Sequence, residues 1–547
     1  MRVYRLSNEC IYSEEKNNDM INIFMQYFIH PNKDRQKEFI RCLKNNVNNK
    51  YIDKIYLLNE RIYTDEKLKV KSDKIIQVNI NKRLRFCDIF TYINDNKIIG
   101  YNILINSDIF FDDTIEMIKY SDIHINKKMF ALLRWNYNGN DILNSKIYGP
   151  RGDSQDTWIV HSNFNIGKQE NKLFNIEFGK PGCDSKIIFV FDLLGYKIVN
   201  DPNKIKSYHY HCTNIRNNST LETIPPPYEK VFPIGYLTEE NVDINQNICE
   251  ITDNFSKYYF INEHDKFKKY IKNKLENNEN FLIPRIAGIE NNYAIFPKFI
   301  NDSTMNYLNG NIKIMKNNAG IKMSSIESIN KYSDMYLESF VNSDSYFCWA
   351  PYDAVYNSIV NSHNIIDQMF NNKNKFYSCV LDIFLYIHHE PWTRLLEGKK
   401  ILIISAFKES IDLKINDREK IYGIDLFPNC NIITIKPPQT QGSEESKEFD
   451  EEFNLFTEKL NNIVNDYDVA LVSCGGYGNL VCNYIYKQNK SAIYIGGTLQ
   501  MYFGIYGNRW LQDSSDIIRL YLNKYWTRPT NYEKPLNYKN IENNCYW

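Results

Sequence analysis

Between residues 21 and 107, short apolar runs alternate with segments of helical spacing, and that alternation leaves few architectures open. "INIFMQYFI" (21–29), "IDKIYLLNE" (52–60), "KIIQVNI" (74–80) and "YNILINS" (101–107) read as strands. "DRQKEFIRCLKNNV" (34–47), with Phe39, Ile40 and Leu43 on one face, and "FCDIFTYIND" (86–95) read as helices. Strands separated by helices predict an α/β fold built on a parallel sheet. The pattern returns late in the chain. "KKILIISAF" (399–407), "CNIITIK" (430–436), "YDVALVSC" (467–474) and "SAIYIGG" (491–497) are strand candidates, and "DEEFNLFTEKLNNIVN" (450–465) is a helix candidate. A chain of 547 residues is too long for one ordinary core, so two domains are expected. The polar, Pro-rich stretch "NNSTLETIPPPYEK" (217–230) marks the boundary. It predicts domains at 1–216 and 261–547, joined by a linker over 217–260. The second domain restarts with a helix candidate at 265–278 and a strand candidate at 280–290.

Charge and cysteine usage narrow the function classes. The 66 basic and 66 acidic residues balance, which argues against a nucleic-acid partner. The 12 cysteines include no C-x-x-C pair, so free thiols in a reducing compartment are expected rather than a disulfide framework or a zinc site. No apolar run has the length of a signal peptide core or a membrane span. The expectation is a soluble, cytoplasmic protein; peripheral membrane contact stays open, as does the oligomeric state.

The strand candidate at 101–107 ends in "NSD", Asn106–Ser107–Asp108, followed by Asp112 and Asp113. In open α/β sheets, ligands bind beyond the carboxyl ends of the strands. A hard divalent cation there takes oxygen ligands and bridges a carboxylate to substrate phosphates. A turn or a helix N-cap would use the same residue types. Three later segments add chemistry. "GPRGDSQDTWIVHSN" (149–163) gathers Asp153, Gln155, Asp156, Trp158 and His161. "FGKPGCDSKIIFVFDLLGYKIVNDP" (178–202) sets Gly182–Cys183–Asp184 before a helix candidate, and "IKSYHYHCTNIR" (205–216) carries His209 and His211 near a strand end. Asp184 would equally serve as a helix N-cap, and the two histidines as same-face strand residues.

A strand ending in an acid, then an acid opening a helix before "GYKIV", then a histidine resembles the layout of GT-A-fold glycosyltransferases. The segments "NSDIFFD", "SQDTW" and "PGCD" are most similar to a group found in large DNA viruses and bacteria, which would place the protein in host cytoplasm or a virus factory. Over residues 1–216 the resemblance implies a Rossmann-like nucleotide-diphospho-sugar transferase domain. Asn106, Ser107 and Asp108 would bind the donor, with Asp108 holding Mn2+ or Mg2+ and Asn106 standing where the family has its first acid. His209, or His211 in its place, would complete the metal site. Asp184 would be the catalytic base of an inverting enzyme. Asp156, in a loop, would face the acceptor and join Asp184 among the catalytic residues, and Trp158 would stack on a sugar ring. Sugar transfer expels a nucleoside diphosphate, so it needs positive charge at the phosphates and a base at the acceptor hydroxyl.

The second half offers another candidate site. Arg285 and Glu290 flank Ala287–Gly288, and an arginine can hold phosphate bidentately. "VSCGGYGNLVCNYIYK" (472–487) sets Gly475, Gly476 and Gly478 between a strand and a helix, where an anion could meet backbone N–H groups; tight strand–helix packing would use the same glycines. Gly496 and Gly497, and Lys408 with Glu409, follow other strand candidates. These segments over 265–515 resemble the GT-D type of glycosyltransferase domain. The resemblance implies a donor site at Arg285 and Glu290, with Gly288 where that family has an Asp, so no metal is assigned to this half. Two functions follow: a bifunctional hexosyl- or deoxyhexosyltransferase using UDP-, GDP- or dTDP-linked donors on a glycan or glycoprotein, or an N-terminal enzyme with a C-terminal acceptor-binding or scaffolding module. A carbohydrate-binding protein without activity is the third.

Overall fold

The fold is that of a computed structural model, which describes residues 2–149, 151–213, 223–225, 227–234, 260–350, 354–442, 445–513, 518, 520–536, 538–541 and 544–547. The chain divides into two compact units, Met1–Tyr259 and Phe260–Trp547. Most of the expected linker lies outside the described residues. Where it is described, Tyr228–Phe232 is a strand parallel to Arg2–Leu6, so the first unit extends beyond residue 216. The second unit opens with a helix at Phe260–Glu276.

Both units are α/β. The first is built on a seven-stranded sheet in the order Lys197–Val199, Lys128–Leu133, Gln155–His161, Tyr101–Ile105, Ile21–Met25, Lys54–Asn59, Ile75–Asn79. Gln155–His161 runs antiparallel to both its neighbours, and every other pairing is parallel. Ile21–Met25 and Tyr101–Ile105 are buried at every position, which explains why they read as unbroken apolar runs rather than alternating ones. The helix Lys33–Asn48 starts where the Asn32 side chain accepts the backbone N–H groups of Asp34 and Arg35, and it buries Phe39, Cys42, Leu43 and Val47. Because only Gln155–His161 is reversed, its beginning lies at the edge where the parallel strands end.

A smaller sheet, ordered Ile109–Phe111, Ser207–Tyr210, Trp135–Tyr137, Lys146–Ile147, continues from that edge. Phe110 stacks on Tyr208 at 5.3 Å and packs edge-on to Tyr137. The second unit has a five-stranded, wholly parallel sheet: Leu282–Ile283, Ser491–Tyr494, Val469–Ser473, Lys400–Ser405, Asn431–Ile435. The long strand expected at 280–290 is cut to two residues. Pro284 has no N–H to give a ladder, and a helix begins at Ile289.

The described cysteines are free thiols. Among the described residues, no helix is long and apolar enough to cross a membrane.

Candidate functional site

The carboxyl edge of the first sheet opens onto a cavity of about 1050 Å3. Asn106, Ser107, Asp108, Asp156, Asp184, His209 and His211 all line it. Residues 106–108 are placed by their neighbours. Tyr101–Ile105 and Ile109–Phe111 are both buried, so the chain must reverse within three residues, and the Ile109 N–H closes the turn on the Asn106 carbonyl at 3.2 Å. The Ser107 hydroxyl donates to the Gln26 carbonyl at 2.6 Å, and the Asn106 amide donates to Asp156 at 2.8 Å. Ser107 and Asn106 therefore hold the turn, while Asp108 faces His209.

His209 pairs in register with Ile109, which sets its Nε2 3.1 Å from Asp108 Oδ2. The ligand atoms of Asp108, His209 and His211 all lie within 4.8 Å of one another. One carboxylate and two imidazoles fit a divalent transition ion such as Mn2+ better than Mg2+, which prefers oxygen ligands. Burial, with Arg35 and His209 adding to it, lowers the His211 pKa and favours the neutral imidazole that a metal requires. Burial alone would raise the Asp108 carboxyl, but His209 and Arg35 hold it well below the usual carboxylate range.

Arg35 is a residue the sequence did not single out. From the first turn of Lys33–Asn48, its guanidinium pairs with Asp108 through Nη2, with Glu38 at 2.6 Å and with the Tyr210 carbonyl at 3.1 Å. One signal was present: a cation in the first turn of a helix opposes the helix dipole and needs another reason to be there.

Asp184 lies in the first turn of Cys183–Leu193, after Gly182 at φ +84°. A Cβ on Gly182 would stand 3.1 Å from the Ile224 carbonyl, so both backbone and space favour glycine. Burial pushes the Asp184 carboxyl up to about 7; the Ser185 N–H works against this, and Asp156 and Asp153 add to it. Arg83, Arg134, Arg151, Lys180 and Lys230 line the same cavity and supply positive charge.

Two expectations need correction. Asp156 is on the strand Gln155–His161, not in a loop, and its carboxylate is paired with Arg134 at 2.6 Å. Trp158 does not face a ligand. It is fully buried in the core, two residues further along the strand from Asp156, packed edge-on to Phe86 at 5.0 Å and Phe178 at 5.8 Å.

The second unit treats its candidates differently. A Cβ on Gly476 would meet Ile321 at 2.4 Å, one on Gly478 the Tyr494 ring at 2.3 Å, and one on Gly475 the Ala319 carbonyl at 2.8 Å. A Cβ on Gly496 would meet the Arg285 guanidinium at 2.2 Å, and one on Gly497 the Tyr546 ring at 2.3 Å. These glycines make room for their own chain, as the packing alternative for them expects. Arg285 donates to the Ile495 carbonyl at 2.9 Å and lies over Trp349 at 4.5 Å. Gly288 caps the helix Ile289–Ile295, with Glu290 in its first turn. Lys408 pairs with Asp412, and Glu409 lies 3.7 Å from Lys436, both at the surface. Sequence reasoning also passed over Asp382: burial pushes its carboxyl up to about 6, against the Thr498 hydroxyl at 3.0 Å and the nearby charges of Arg285 and Arg509.

No protein-family model and no curated protein matches the sequence. Among solved structures, GalNAc-T7 with UDP, GalNAc and Mn2+ is similar at 11% identity and a TM-score of 0.27, over 39% of this chain and 49% of that one. The mannosyltransferase PcManGT from Pyrobaculum calidifontis, in complex with GDP-Man and Mn2+, is similar at 9% identity and a TM-score of 0.25, over 38% of this chain and 61% of that one. This chain thus spans less than two thirds of either protein, and TM-scores this low assign neither a fold family nor a function.

Proposed function

We propose that the first unit is a metal-dependent glycosyltransferase of GT-A type that moves a sugar from a nucleoside diphosphate to a hydroxyl acceptor. One observation carries this: a carboxylate–imidazole cluster and a separate carboxylate of raised pKa share one cavity at the carboxyl edge of an α/β sheet. Asp108, His209 and His211 would hold the divalent cation, Mn2+ by the donor chemistry above. When bound, the cation supplies charge that stabilises the departing diphosphate. The basic side chains lining the cavity add to that charge. Asp184 takes the proton of the acceptor hydroxyl as that oxygen bonds to the sugar carbon and the bond to the diphosphate breaks, and direct attack of this kind inverts the configuration. A carboxyl titrating near 7 is close to the optimum for a general base at neutral pH. Asp156 acts on the site indirectly, by fixing Arg134 and Asn106.

For the second unit, the packed glycines favour an acceptor-binding or scaffolding module over a second donor site. The free thiols suit a reducing compartment such as cytoplasm.

The test is a panel of UDP-, GDP- and dTDP-linked sugars offered to the full chain with Mn2+, with donor hydrolysis and transfer to simple glycans as readouts. Turnover of at least one donor, lost in Asp108→Asn and in Asp184→Asn, is expected. Turnover that survives in both variants assigns the activity elsewhere, and glycan binding without turnover of any donor makes the protein a carbohydrate-binding one.

A further inference from the structure

The cluster that fits a metal already has a cation on it. Arg35 and His209 both contact the same oxygen of Asp108, Oδ2. The guanidinium is not a passing surface contact. Its side chain is nearly buried, and it is held by Glu38 at 2.6 Å, by the Tyr210 carbonyl at 3.1 Å and over the Phe39 ring at 4.7 Å. Glu38 is fixed in turn by the N–H groups of Cys212 and Thr213, at 2.8 and 3.0 Å, just past His211. So one network ties the helix Lys33–Asn48, Asp108 and the chain following His209 together.

We infer that Arg35 competes with the divalent cation for Asp108, so that the cation loads together with a nucleoside diphosphate rather than ahead of it. A second cation arriving at Asp108 meets the repulsion of a guanidinium that is poorly screened at this depth. Arginine also has nowhere to shed its charge, since it does not deprotonate in proteins. A diphosphate changes that balance. It offers the guanidinium a bidentate anionic partner within the same cavity, which Arg35 also lines, and frees Asp108 for the metal. Binding of cation and diphosphate is then mutually favourable, and by linkage each raises the affinity of the other by the same factor. Arg35 is in this account a positioning residue that acts through Asp108. Competition of this kind presupposes the metal site proposed above, but it is read from metal occupancy and not from sugar transfer.

The experiment is a Mn2+ titration followed by electron paramagnetic resonance on the full chain, with and without UDP or GDP, in the native protein and in Arg35→Met. In the native protein, a saturating diphosphate should raise Mn2+ affinity at least tenfold. In Arg35→Met, Mn2+ alone should bind at least tenfold tighter than it binds the native protein alone, and the added effect of the diphosphate should shrink. Equal Mn2+ affinity of the native protein with and without either diphosphate overturns the inference, whatever the variant does. Equal affinity of the folded variant and the native protein overturns it as well. Arg35→Lys, which keeps the charge but not the fork, guards against misfolding of the methionine variant and should bind Mn2+ as weakly as the native protein does. Failure of Mn2+ to bind the native protein in any condition, or its undiminished binding to Asp108→Asn, would remove the metal site itself, a result distinguishable from loss of competition alone.

Discussion

The two units end their parallel strands in different ways. In the first, the edge beyond Tyr101–Ile105 is a cavity of about 1050 Å3, and carboxylates, imidazoles and guanidinium groups from separate segments of the chain converge on it. In the second, the residues after Val469–Ser473 and Ser491–Tyr494 are glycines whose open sides are filled by Ile321, Tyr494, Arg285 and Tyr546. Both edges look like ligand sites in sequence, because both put polar or small residues after an apolar run. The difference is one of information content. An acid at a buried turn costs several kcal/mol unless something pairs with it, so its presence implies partners. A glycine costs little and is required equally by a ligand and by a neighbouring side chain.

The largest expected effect is on Asp108. Replacing it with Asn should lower sugar transfer by roughly 10³-fold and abolish Mn2+ binding, because the group stabilising the departing diphosphate loses its anchor. Retained transfer with the site altered would erase the contrast between the two edges.

Asp184→Asn comes next, with roughly 10²-fold loss of transfer, the scale of a missing general base. In the native protein, kcat/KM should rise with pH through about 7 as the carboxyl ionises. Stability should move the opposite way. The folded pKa is above the unfolded carboxylate value, so the ionised form is disfavoured in the fold. The stability that protonation supplies is complete below about pH 4 and is lost as pH rises through 7. The Asn variant should lack that fall and be more stable at pH 8, by roughly 1–3 kcal/mol after allowing for partial exposure, in denaturant titrations.

Gly478→Ala sharpens the comparison from the other side. Its methyl group would press on the Tyr494 ring, so a destabilisation of roughly 1–3 kcal/mol is expected, with donor binding to the first unit unchanged. Arg285→Leu should cost about 1 kcal/mol through its lost contacts with Ile495 and Trp349, and it should alter transfer less than about threefold. If Arg285→Leu instead removed a second, separately measurable nucleotide-sugar binding event, the second unit would be a donor site after all and the protein bifunctional.

The helix 86–95 and most strands lie where periodicity predicts them, because each is a long apolar run whose local and tertiary preferences agree. The strand at 280–290 failed where Pro284 interrupts the ladder. Asp108, His209, His211 and Asp184, which the fold brings to one cavity, were legible as candidates since each follows or precedes a marked element. Arg35 was not, because what brings a helix residue to Asp108 is long-range packing, 73 residues away along the chain. Trp158 misled for a related reason: it shares a segment with Asp156 but sits two residues along the same strand, where burial in an aromatic cluster with Phe86 and Phe178 governs it. Asp382 joins the surroundings of Arg285 through a turn with no sequence mark at all.

The most direct measurement is a crystal structure of the full chain soaked with Mn2+ and a nucleoside diphosphate, with the metal located by its anomalous signal. A manganese peak bridging Asp108 and the diphosphate, with His209 or His211 in its coordination shell and Asp184 facing the open side of the cavity, is the predicted result. Metal and diphosphate bound together at Arg285, with the Asp108 cavity vacant, would contradict it.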